Sequence, residues 1–215
     1  AGLETVGLRM PKHEQALALI RLCGVPLAAP SANKFGKTSP TEVQHVAEAF
    51  PELMILDGGP CEVGLESTVL AVGEEGVQIL RPGAVSAEMI REVLPKGFTL
   101  EERSDARSPG HLDHHYQPEK PLLIFNKGSS AARTQLQECL KNNSWENSNA
   151  FEIKIGSDPY VAARFLYTRL REGSKSRAAF LLLEYEESWV RGLGASGLWD
   201  AIDDRLRRAA TKWFK

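Results

Sequence analysis

Pro26-Leu27-Ala28-Ala29-Pro30-Ser31-Ala32-Asn33 is a short apolar segment that runs directly into a polar loop. We expect a buried strand at residues 26–29 and a loop rich in Ser, Asn, Gly and Lys at residues 30–38. In open α/β sheets, ligands bind beyond the carboxyl ends of strands, and helix N-termini there favour anions. The stretch therefore predicts an α/β domain with a small-molecule site, although an ordinary turn with its own Asx hydrogen bonds explains these residues equally well.

The segments around this loop predict further strands and helices in the first half of the chain. Ser39, Pro40 and Glu42 have the types and spacing of a helix start, with an N-cap, a first-turn proline and a capping-box acid. Before Gly24, apolar residues repeat at three and four positions, as in a helix that ends at a glycine. The predicted strands are 5–9, 26–29, 53–56, 67–72 and 77–80, and the predicted helices are 13–23, 39–50 and 86–94.

The second half of the chain has a more regular pattern. Short apolar runs alternate with segments of helical periodicity, and Asp158-Pro159 provides one of the helix starts. Such alternation is typical of a parallel sheet with crossover helices. Between the halves, residues 105–119 are polar and read as a linker. The predicted strands are 121–125, 151–155 and 178–183, and the predicted helices are 130–141, 158–171 and 198–213.

The composition argues against several classes of protein. The 215 residues carry a net charge of -2, which does not favour non-specific electrostatic binding of nucleic acid. The three cysteines are far apart, so free thiols in a reducing cytosol fit better than disulfides or structural zinc. No apolar run reaches the ~18 residues of a membrane span, and we recognise no signal peptide. The first residue is not Met and an apolar segment follows at once, which predicts a start inside a domain.

Three further polar positions adjoin predicted strands. Gly64-Leu65-Glu66-Ser67-Thr68-Val69 places two hydroxyls where a glycine-containing loop enters a strand. Arg81 ends a strand before Pro82-Gly83, and Arg9 ends one before Met10-Pro11. An arginine at a strand end suits bidentate contact with a phosphate or carboxylate, although a surface ion pair is the common alternative. Together with the 30–33 loop, these positions indicate one polar-ligand site.

In their order and spacing, these motifs resemble those of the two-domain YrdC-like L-threonylcarbamoyladenylate synthases (threonylcarbamoyl-AMP synthases). The resemblance covers essentially the whole chain and is looser after the linker. The motifs are Thr-Val-Gly-Leu-Arg-Met-Pro (5–11), Ala-Ala-Pro-Ser-Ala-Asn (28–33), Ser-Pro-Thr (39–41), Leu-Asp-Gly-Gly-Pro-Cys (56–61), Val-Gly-Leu-Glu-Ser-Thr-Val (63–69) and Leu-Arg-Pro-Gly-Ala (80–84). Ser108-Pro109-Gly110 and His115-Tyr116-Gln117-Pro118 are similar to the family's interdomain linker.

The resemblance implies an α/β fold in three parts. Residues 1–104 would be the C-terminal part of a YrdC-like mixed-sheet catalytic domain. Residues 105–119 would be a linker that folds over the site as a lid and excludes water from the labile adenylate. Residues 120–215 would be a small Rossmann-like domain with a parallel sheet. No cofactor-binding fingerprint follows the first strand of that domain, so we expect it to control the lid or to contact a partner.

The resemblance also implies a nucleotidyltransferase activity. Family members join L-threonine, bicarbonate and ATP into threonylcarbamoyl-AMP and pyrophosphate, with Mg²⁺. A separate tRNA threonylcarbamoyl transferase then uses the product to modify tRNA. The implied location is the cytoplasm, without membrane contact and without tight direct binding of nucleic acid. Because the carbamate oxygen attacks the α-phosphorus directly, catalysis would consist mostly of positioning and charge stabilisation.

Site roles follow from the resemblance position by position. It assigns no catalytic side chain and no metal ligand. Asn33 would order the loop that carries Ser31. The implied ATP contacts are Thr5, Ser31, Ser39, Arg81 and Tyr116, and the implied L-threonine contacts are Arg9, Ala29 (through its backbone) and Ser67.

The sequence departs from the family pattern in two places. The family's Lys-x-Arg phosphate-binding motif belongs to the front of the domain, before residue 1, so this chain is expected to be a partial catalytic domain with little or no activity of its own. In the linker, His111 and Asp113 stand where the family usually has Met and Tyr, and lid contacts are expected to differ.

Three rival interpretations compete with this one. The cluster His111-Leu112-Asp113-His114-His115 contains good zinc ligands, but a solvated linker is the simpler interpretation. A dinucleotide-binding fingerprint is matched in its letters by Gly192-Leu193-Gly194-Ala195-Ser196-Gly197. A true fingerprint directly follows a strand, and here the preceding strand ends near residue 183, so a loop is favoured. A non-enzymatic RNA-binding module is the third alternative, and the net charge of -2 argues against it.

Overall fold

The computed structural model describes residues 5–101, 115–191 and 197–215, which form two α/β units with one sheet each. The helices are α1 (Glu14–Cys23), α2 (Val43–Ala49), α3 (Ala87–Val93), α4 (Ser130–Asn142), α5 (Pro159–Lys175), α6 (Ser188–Arg191) and α7 (Gly197–Ala209). The strands are β1 (Val69–Val72), β2 (Gly76–Arg81), β3 (Thr99–Glu101), β4 (Leu122–Asn126), β5 (Ala150–Glu152), β6 (Phe180–Tyr185) and β7 (Lys212–Phe214).

The N-terminal unit contains a mixed three-stranded sheet in the order β1-β2-β3. Strands β1 and β2 form an antiparallel pair joined by a tight turn, and β3 pairs with β2 in parallel. Side chains of β2 alternate between half-buried and buried, so that Val77 and Ile79 face inward. Ile90 of α3 packs against both of them and covers one face of the sheet. This small core fixes the end of β2, where Arg81 lies.

The C-terminal unit contains a parallel four-stranded sheet in the order β5-β6-β4-β7. Strand β4 is buried along almost its whole length, as expected for a parallel strand covered by helices on both faces. Helix α5 starts at an Asp158 N-cap, whose Oδ1 accepts from the Tyr160 N–H at 2.8 Å, with Pro159 in the first turn. Helices α5 and α7 pack together in the main core of this unit.

Helix α5 also holds the N-terminal unit in place. Arg171 donates a hydrogen bond to the backbone oxygen of Thr38, and Lys175 forms an ion pair with Glu48 at 2.7 Å. Gly64 lies so close to this helix that an added Cβ would be 2.5 Å from the backbone oxygen of Arg164. The two units are therefore in direct contact along α5.

The predicted α/β fold class is confirmed, and the elements of the C-terminal unit are largely where the sequence indicated. There are two exceptions: the strand predicted at 151–155 is only Ala150–Glu152, and the last helix ends at Ala209, with residues 212–214 forming strand β7. Thr211 starts this change, because its Oγ1 accepts from the Leu122 N–H at 3.0 Å and brings the following residues beside β4. Two short elements, β3 and α6, were not predicted.

Several predictions for the N-terminal unit were wrong. Residues 5–9, 26–29 and 53–56 form no strand, because they pair with no strand of the described residues. The predicted capping box at Ser39 is also absent. Helix α2 begins only at Val43, and its N-cap residue Glu42 makes no side-chain capping hydrogen bond. Ser39 is instead bonded to a carboxylate in the site described below.

Some predictions fall outside the described residues. These are most of the linker, the His111 to His114 part of the possible zinc cluster, and residues 192–196 of the possible dinucleotide fingerprint. Within the described ranges, no helix has both the length and the apolar character needed to cross a membrane. The domain limits at residues 104 and 119 stay predictions.

We expect the Leu166→Ala substitution to destabilise the protein by about 2–5 kcal/mol, because it leaves a cavity where α5 packs in the core. The Leu166 side chain has no exposed surface. Urea unfolding followed by tryptophan fluorescence measures the change. Val161→Ala on the same helix is the control, since Val161 is 49% exposed, and we expect a change of less than about 0.5 kcal/mol there. Equal effects of both substitutions would contradict the packing described for α5.

Candidate functional site

Two of the residues predicted to bind L-threonine meet in the structure. Nη2 of Arg9 donates to Oγ of Ser67 at 3.3 Å, although the two residues are 58 positions apart in the chain. Both side chains are exposed to solvent, so the guanidinium and the hydroxyl are accessible to a ligand. The third predicted residue, Ala29, is also exposed. The pair provides donors of the kind that bind a carboxylate.

Arg81 approaches the same segment from the end of β2. Its Nε and Nη2 both donate to the backbone oxygen of Ser67, at 3.2 and 3.0 Å. The side chain is buried, and burial together with the positive charge of Arg205 lowers the pKa of Arg81. A bound anion would counter both effects, because a nearby negative charge stabilises a buried cation. Ser67 is therefore held between two arginines.

The 30–38 loop contains hydrogen bonds from its own asparagine. Nδ2 of Asn33 donates to the backbone oxygens of Lys34 at 3.1 Å and Lys37 at 2.9 Å. Both hydrogen bonds lie within the loop, and the loop-ordering role of Asn33 stays a prediction. The backbone oxygen of Gly36 accepts from the Gln117 N–H at 2.9 Å, which attaches the loop to the end of the predicted linker. Ser31 is exposed on this loop, and Thr5 is exposed at the start of the described chain.

Tyr116, another predicted ATP contact, has an unusual backbone conformation. Its φ is 64°, in the left-handed region that residues other than glycine rarely adopt. Its ring is buried, stacks on Tyr167 at 5.7 Å and contacts the His115 ring edge to face at 4.2 Å. Such local strain occurs where surrounding contacts determine the conformation, often at ligand sites. Burial and the charge of Glu66 raise the pKa of Tyr116, so its hydroxyl remains protonated at neutral pH.

The carboxylate of Glu66 connects these parts, and sequence reasoning assigned it no role. Its Oε1 accepts from the Ser39 hydroxyl at 2.5 Å, and its Oε2 accepts from the Tyr167 hydroxyl and from Nε of Arg205, both at 3.0 Å. Burial alone would raise the pKa of Glu66. The charge of Arg205 and the Ser39 hydrogen bond outweigh burial and lower it.

Arg205 is the partner that the sequence could not reveal. It lies on α7 in the C-terminal unit and has no exposed surface. The residue is 139 positions from Glu66, and no motif contains it. In the sequence it appears as one of several charges on a helix with basic residues near its end. Only the packing of α7 shows that this arginine points inward, while Arg207 on the same helix is half-exposed.

The described residues contain no group of three or more His, Cys, Asp or Glu side chains arranged to hold a metal ion. The polar groups that converge are arginines, hydroxyls, one carboxylate and backbone oxygens. This set fits an anionic ligand with hydroxyl or amino groups better than a metal ion held by protein ligands alone. The chemistry therefore points to a small polar substrate that carries carboxylate or phosphate.

A mixed-sheet unit, a Rossmann-like unit and a site of arginines and hydroxyls at strand ends define a two-part α/β protein for small anionic ligands. Residues 1–83 match the family model Sua5_yciO_yrdC, described as telomere recombination. Residues 85–211 match the model of the C-terminal domain of threonylcarbamoyl-AMP synthase. The chain belongs to the Sua5/YrdC family of threonylcarbamoyl-AMP synthases.

Relatives and solved structures agree with this assignment. The chain is 36% identical to threonylcarbamoyl-AMP synthase of Bacillus subtilis, over 98% of this chain and 64% of that protein. It is 31% identical to the Schizosaccharomyces pombe synthase, over 100% of this chain and 59% of that protein. The crystal structure of Pyrococcus abyssi Sua5 complexed with L-threonine superposes with a TM-score of 0.75 at 32% identity, covering 97% of this chain and 65% of that one. The chain thus spans less than two thirds of each of these relatives.

We expect Gly83→Ala to displace the segment that carries Ser67. A Cβ at position 83 would overlap the backbone N of Thr68 and lie 2.6 Å from the carbonyl carbon of Ser67, and backbone cannot move aside as a flexible side chain can. Urea unfolding should show a loss of about 1–3 kcal/mol. The control is Gly73→Ala, where the nearest atom is 3.6 Å away. A stability equal to that of the control would refute the close packing at Gly83.

The Glu66→Gln substitution should change the pH dependence of stability. Because the pKa of Glu66 is lowered on folding, its charge stabilises the protein above the unfolded pKa of about 4.3. That contribution is lost as the pH falls through the lower pKa of the folded state. We expect the variant to be less stable by a constant amount between pH 7 and about pH 5, and the difference from the parent to shrink as the pH falls below about 4, as measured by urea unfolding at each pH. A difference that does not depend on pH would contradict a lowered pKa.

Proposed function

We propose that the intact protein to which this chain belongs makes threonylcarbamoyl-AMP from L-threonine, bicarbonate and ATP. The observation that carries the proposal is the contact between Arg9 and Ser67, with Arg81 bonded to the same residue from the other side. The names of the relatives and the L-threonine in the Pyrococcus abyssi complex support it. A guanidinium beside a hydroxyl can hold the carboxylate and the side-chain hydroxyl of threonine together.

In this proposal, Arg9, Ser67 and the backbone of Ala29 bind L-threonine. The nucleotide would contact a second set of residues, and it would carry Mg²⁺ on its phosphate oxygens. The threonine amine would attack the carbon of bicarbonate, a C–O bond breaks, and water leaves to give the carbamate. An oxygen of this carbamate attacks the α-phosphorus of ATP, the bond to the β-phosphate oxygen breaks, and pyrophosphate leaves. The buried positive charge of Arg81 stabilises the negative charge that develops near it. The nucleotide contacts are Thr5, Ser31, Ser39, Arg81 and Tyr116.

We also propose that this chain holds only the rear part of the catalytic domain. Several large apolar side chains of the N-terminal unit are exposed, including Leu8 at 86% and Met54 at 99%. A surface with this much exposed apolar area is usually covered by another part of a protein. The relatives are longer than this chain and have residues to cover it. The missing part would also provide cations for the β- and γ-phosphates.

The remaining features of the proposal concern the cellular setting. The product would pass to a tRNA threonylcarbamoyl transferase in the cytoplasm. Direct tight binding of tRNA is not expected, because the net charge of -2 provides no general attraction for a polyanion. An RNA-binding module without catalysis is the competing function. A salt-sensitive shift with tRNA, together with no binding of ATP or L-threonine, would favour that alternative.

The decisive experiment compares this chain with an extended chain, defined as these residues preceded by the rest of the catalytic domain. We expect the extended chain to bind ATP and L-threonine in calorimetric titrations and to release pyrophosphate when bicarbonate is present. The 215-residue chain should show little or no turnover, because the triphosphate lacks part of its charge neutralisation. Full turnover by the short chain would refute the partial-domain proposal, and no turnover by the extended chain would refute the proposed reaction.

The Arg9→Lys substitution in the extended chain tests the threonine site. Lysine retains the charge but cannot form the planar fork of two parallel N–H bonds, so the affinity for L-threonine should fall about tenfold or more while ATP binding changes little. Arg21→Lys on α1 is the matched control, since Arg21 is exposed and we expect no effect. Equal threonine affinity of the two variants would exclude Arg9 from the site.

A further inference from the structure

The guanidinium of Arg205 bonds to both segments that bear the predicted ligand contacts. Its Nε donates to Oε2 of Glu66 at 3.0 Å, and its Nη1 donates to the backbone oxygen of Pro82 at 2.9 Å. Glu66 directly precedes Ser67 in the chain, and Pro82 directly follows Arg81. A single side chain of the C-terminal unit thus fixes the two backbone segments that hold Ser67 between arginines.

Arg205 also contacts Tyr116, near the end of the predicted linker. Its guanidinium carbon lies 5.7 Å from the centre of the Tyr116 ring, a distance at which a cation is attracted to an aromatic ring. Tyr167 of α5 stacks on the same Tyr116 ring, and its hydroxyl donates to Oε2 of Glu66. Arginine, tyrosine and carboxylate therefore form one buried junction between the two units and the segment at Tyr116.

Stability alone is a poor explanation for this junction. Removing two charges from water is expensive, and a well-packed apolar pair of similar volume is often as stable or more stable. A buried ion pair does restrict geometry, because the guanidinium fork and the carboxylate accept few relative orientations. The free-energy cost of removing these charges from water has a reason if the orientation of the segments near Ser67 and Arg81 matters for ligand binding.

The junction includes one of the predicted nucleotide contacts, because Ser39 is bonded to Glu66. Ser39 has one hydroxyl hydrogen, and it donates that hydrogen to Glu66 at 2.5 Å. While this bond lasts, Ser39 can offer a ligand only acceptor lone pairs. Toward a nucleotide it would accept from a ribose hydroxyl or an amino group, and it could donate to a phosphate oxygen only by leaving Glu66.

We propose that Arg205 is a positioning residue for the nucleotide site and that it acts by holding Glu66 in place. The held carboxylate keeps the Ser39 hydroxyl as a donor to Glu66, so that toward a nucleotide it can only accept. The bonds of Arg205 to Glu66 and Pro82 also fix the segments that carry Ser67 and Arg81. This inference rests on the proposed function. It assigns the C-terminal unit a specific role in that function: it contributes no ligand contact of its own, but it sets the geometry of contacts that belong to the N-terminal unit.

The test uses the extended chain with Arg205→Met and Arg205→Lys. We expect Met to weaken ATP binding about tenfold or more in calorimetry, because Glu66 then lacks its buried cation and can take up a proton. Lys should restore part of the affinity, since it returns the charge but cannot bond to Glu66 and Pro82 with one planar fork. In hydrogen exchange, Met should increase exchange in residues 64–69 and 81–84 while the β4–β6 sheet keeps its protection.

Two controls separate positioning from stability. Arg207→Met removes another arginine of α7 that is ion-paired, with Asp203 at 2.6 Å, and should leave ATP affinity unchanged. The double variant Glu66→Gln, Arg205→Met removes both buried charges, so it should regain stability in urea unfolding while ATP binding stays weak. ATP affinity restored in the double variant, or ATP affinity at the parent level in Arg205→Met, would overturn the proposal.

The same experiments distinguish this inference from the proposed function. If the unsubstituted extended chain binds neither ATP nor L-threonine, the proposed function is wrong. The hydrogen-exchange comparison then still decides whether Arg205 holds the segment that carries Ser67, which is the structural part of the inference. Faster exchange in residues 64–69 for Arg205→Met but not for Arg207→Met supports it, and equal exchange in the two variants overturns it.

Discussion

The structure depends most on one largely buried carboxylate, that of Glu66, whose side chain is 17% exposed. Glu66 is surrounded by a serine of the N-terminal unit and by a tyrosine and an arginine of the C-terminal unit. A buried carboxylate must be satisfied on every side, because an unpaired charge in a low-dielectric interior is very costly. The two units therefore cannot separate or rotate freely without exposing or breaking this set of bonds. The relative placement of the sheets follows from that requirement.

The difference between the two halves shows what a sequence can and cannot predict. In the C-terminal unit the strands pair with one another, so apolar runs such as residues 122–125 and a helix start at Asp158 were enough to place most elements. In the N-terminal unit, segments such as residues 5–9 have β-branched composition, but a strand also needs a neighbour whose N–H and C=O groups pair with it. Composition predicted strands there and could not show that the pairing segment was lacking among the described residues.

The sequence proposed candidate site residues only where they lie in short motifs. Arg9, Ser67 and Arg81 were identified from strand ends and motif resemblance, and the structure brings the three together. Glu66 lies inside one of those motifs, yet its role depends on Arg205, which is far away in the chain. No local pattern marks which arginine of a charged helix is turned into the interior. Ser39 illustrates the same limit, since its sequence context suggested a helix cap and its actual partner is a carboxylate.

In the proposed function, the C-terminal unit supports the activity without containing ligand contacts of its own. A parallel sheet with crossover helices often binds a cofactor at its carboxyl edge, but the fold by itself does not decide this. Here the surface of α5 and α7 that faces the N-terminal unit carries the groups that matter, Tyr167 and Arg205. Both stabilise the carboxylate next to Ser67, and both contact the strained Tyr116. The interface between the units is thus part of the site, and a description confined to either unit would miss the interaction that orders it.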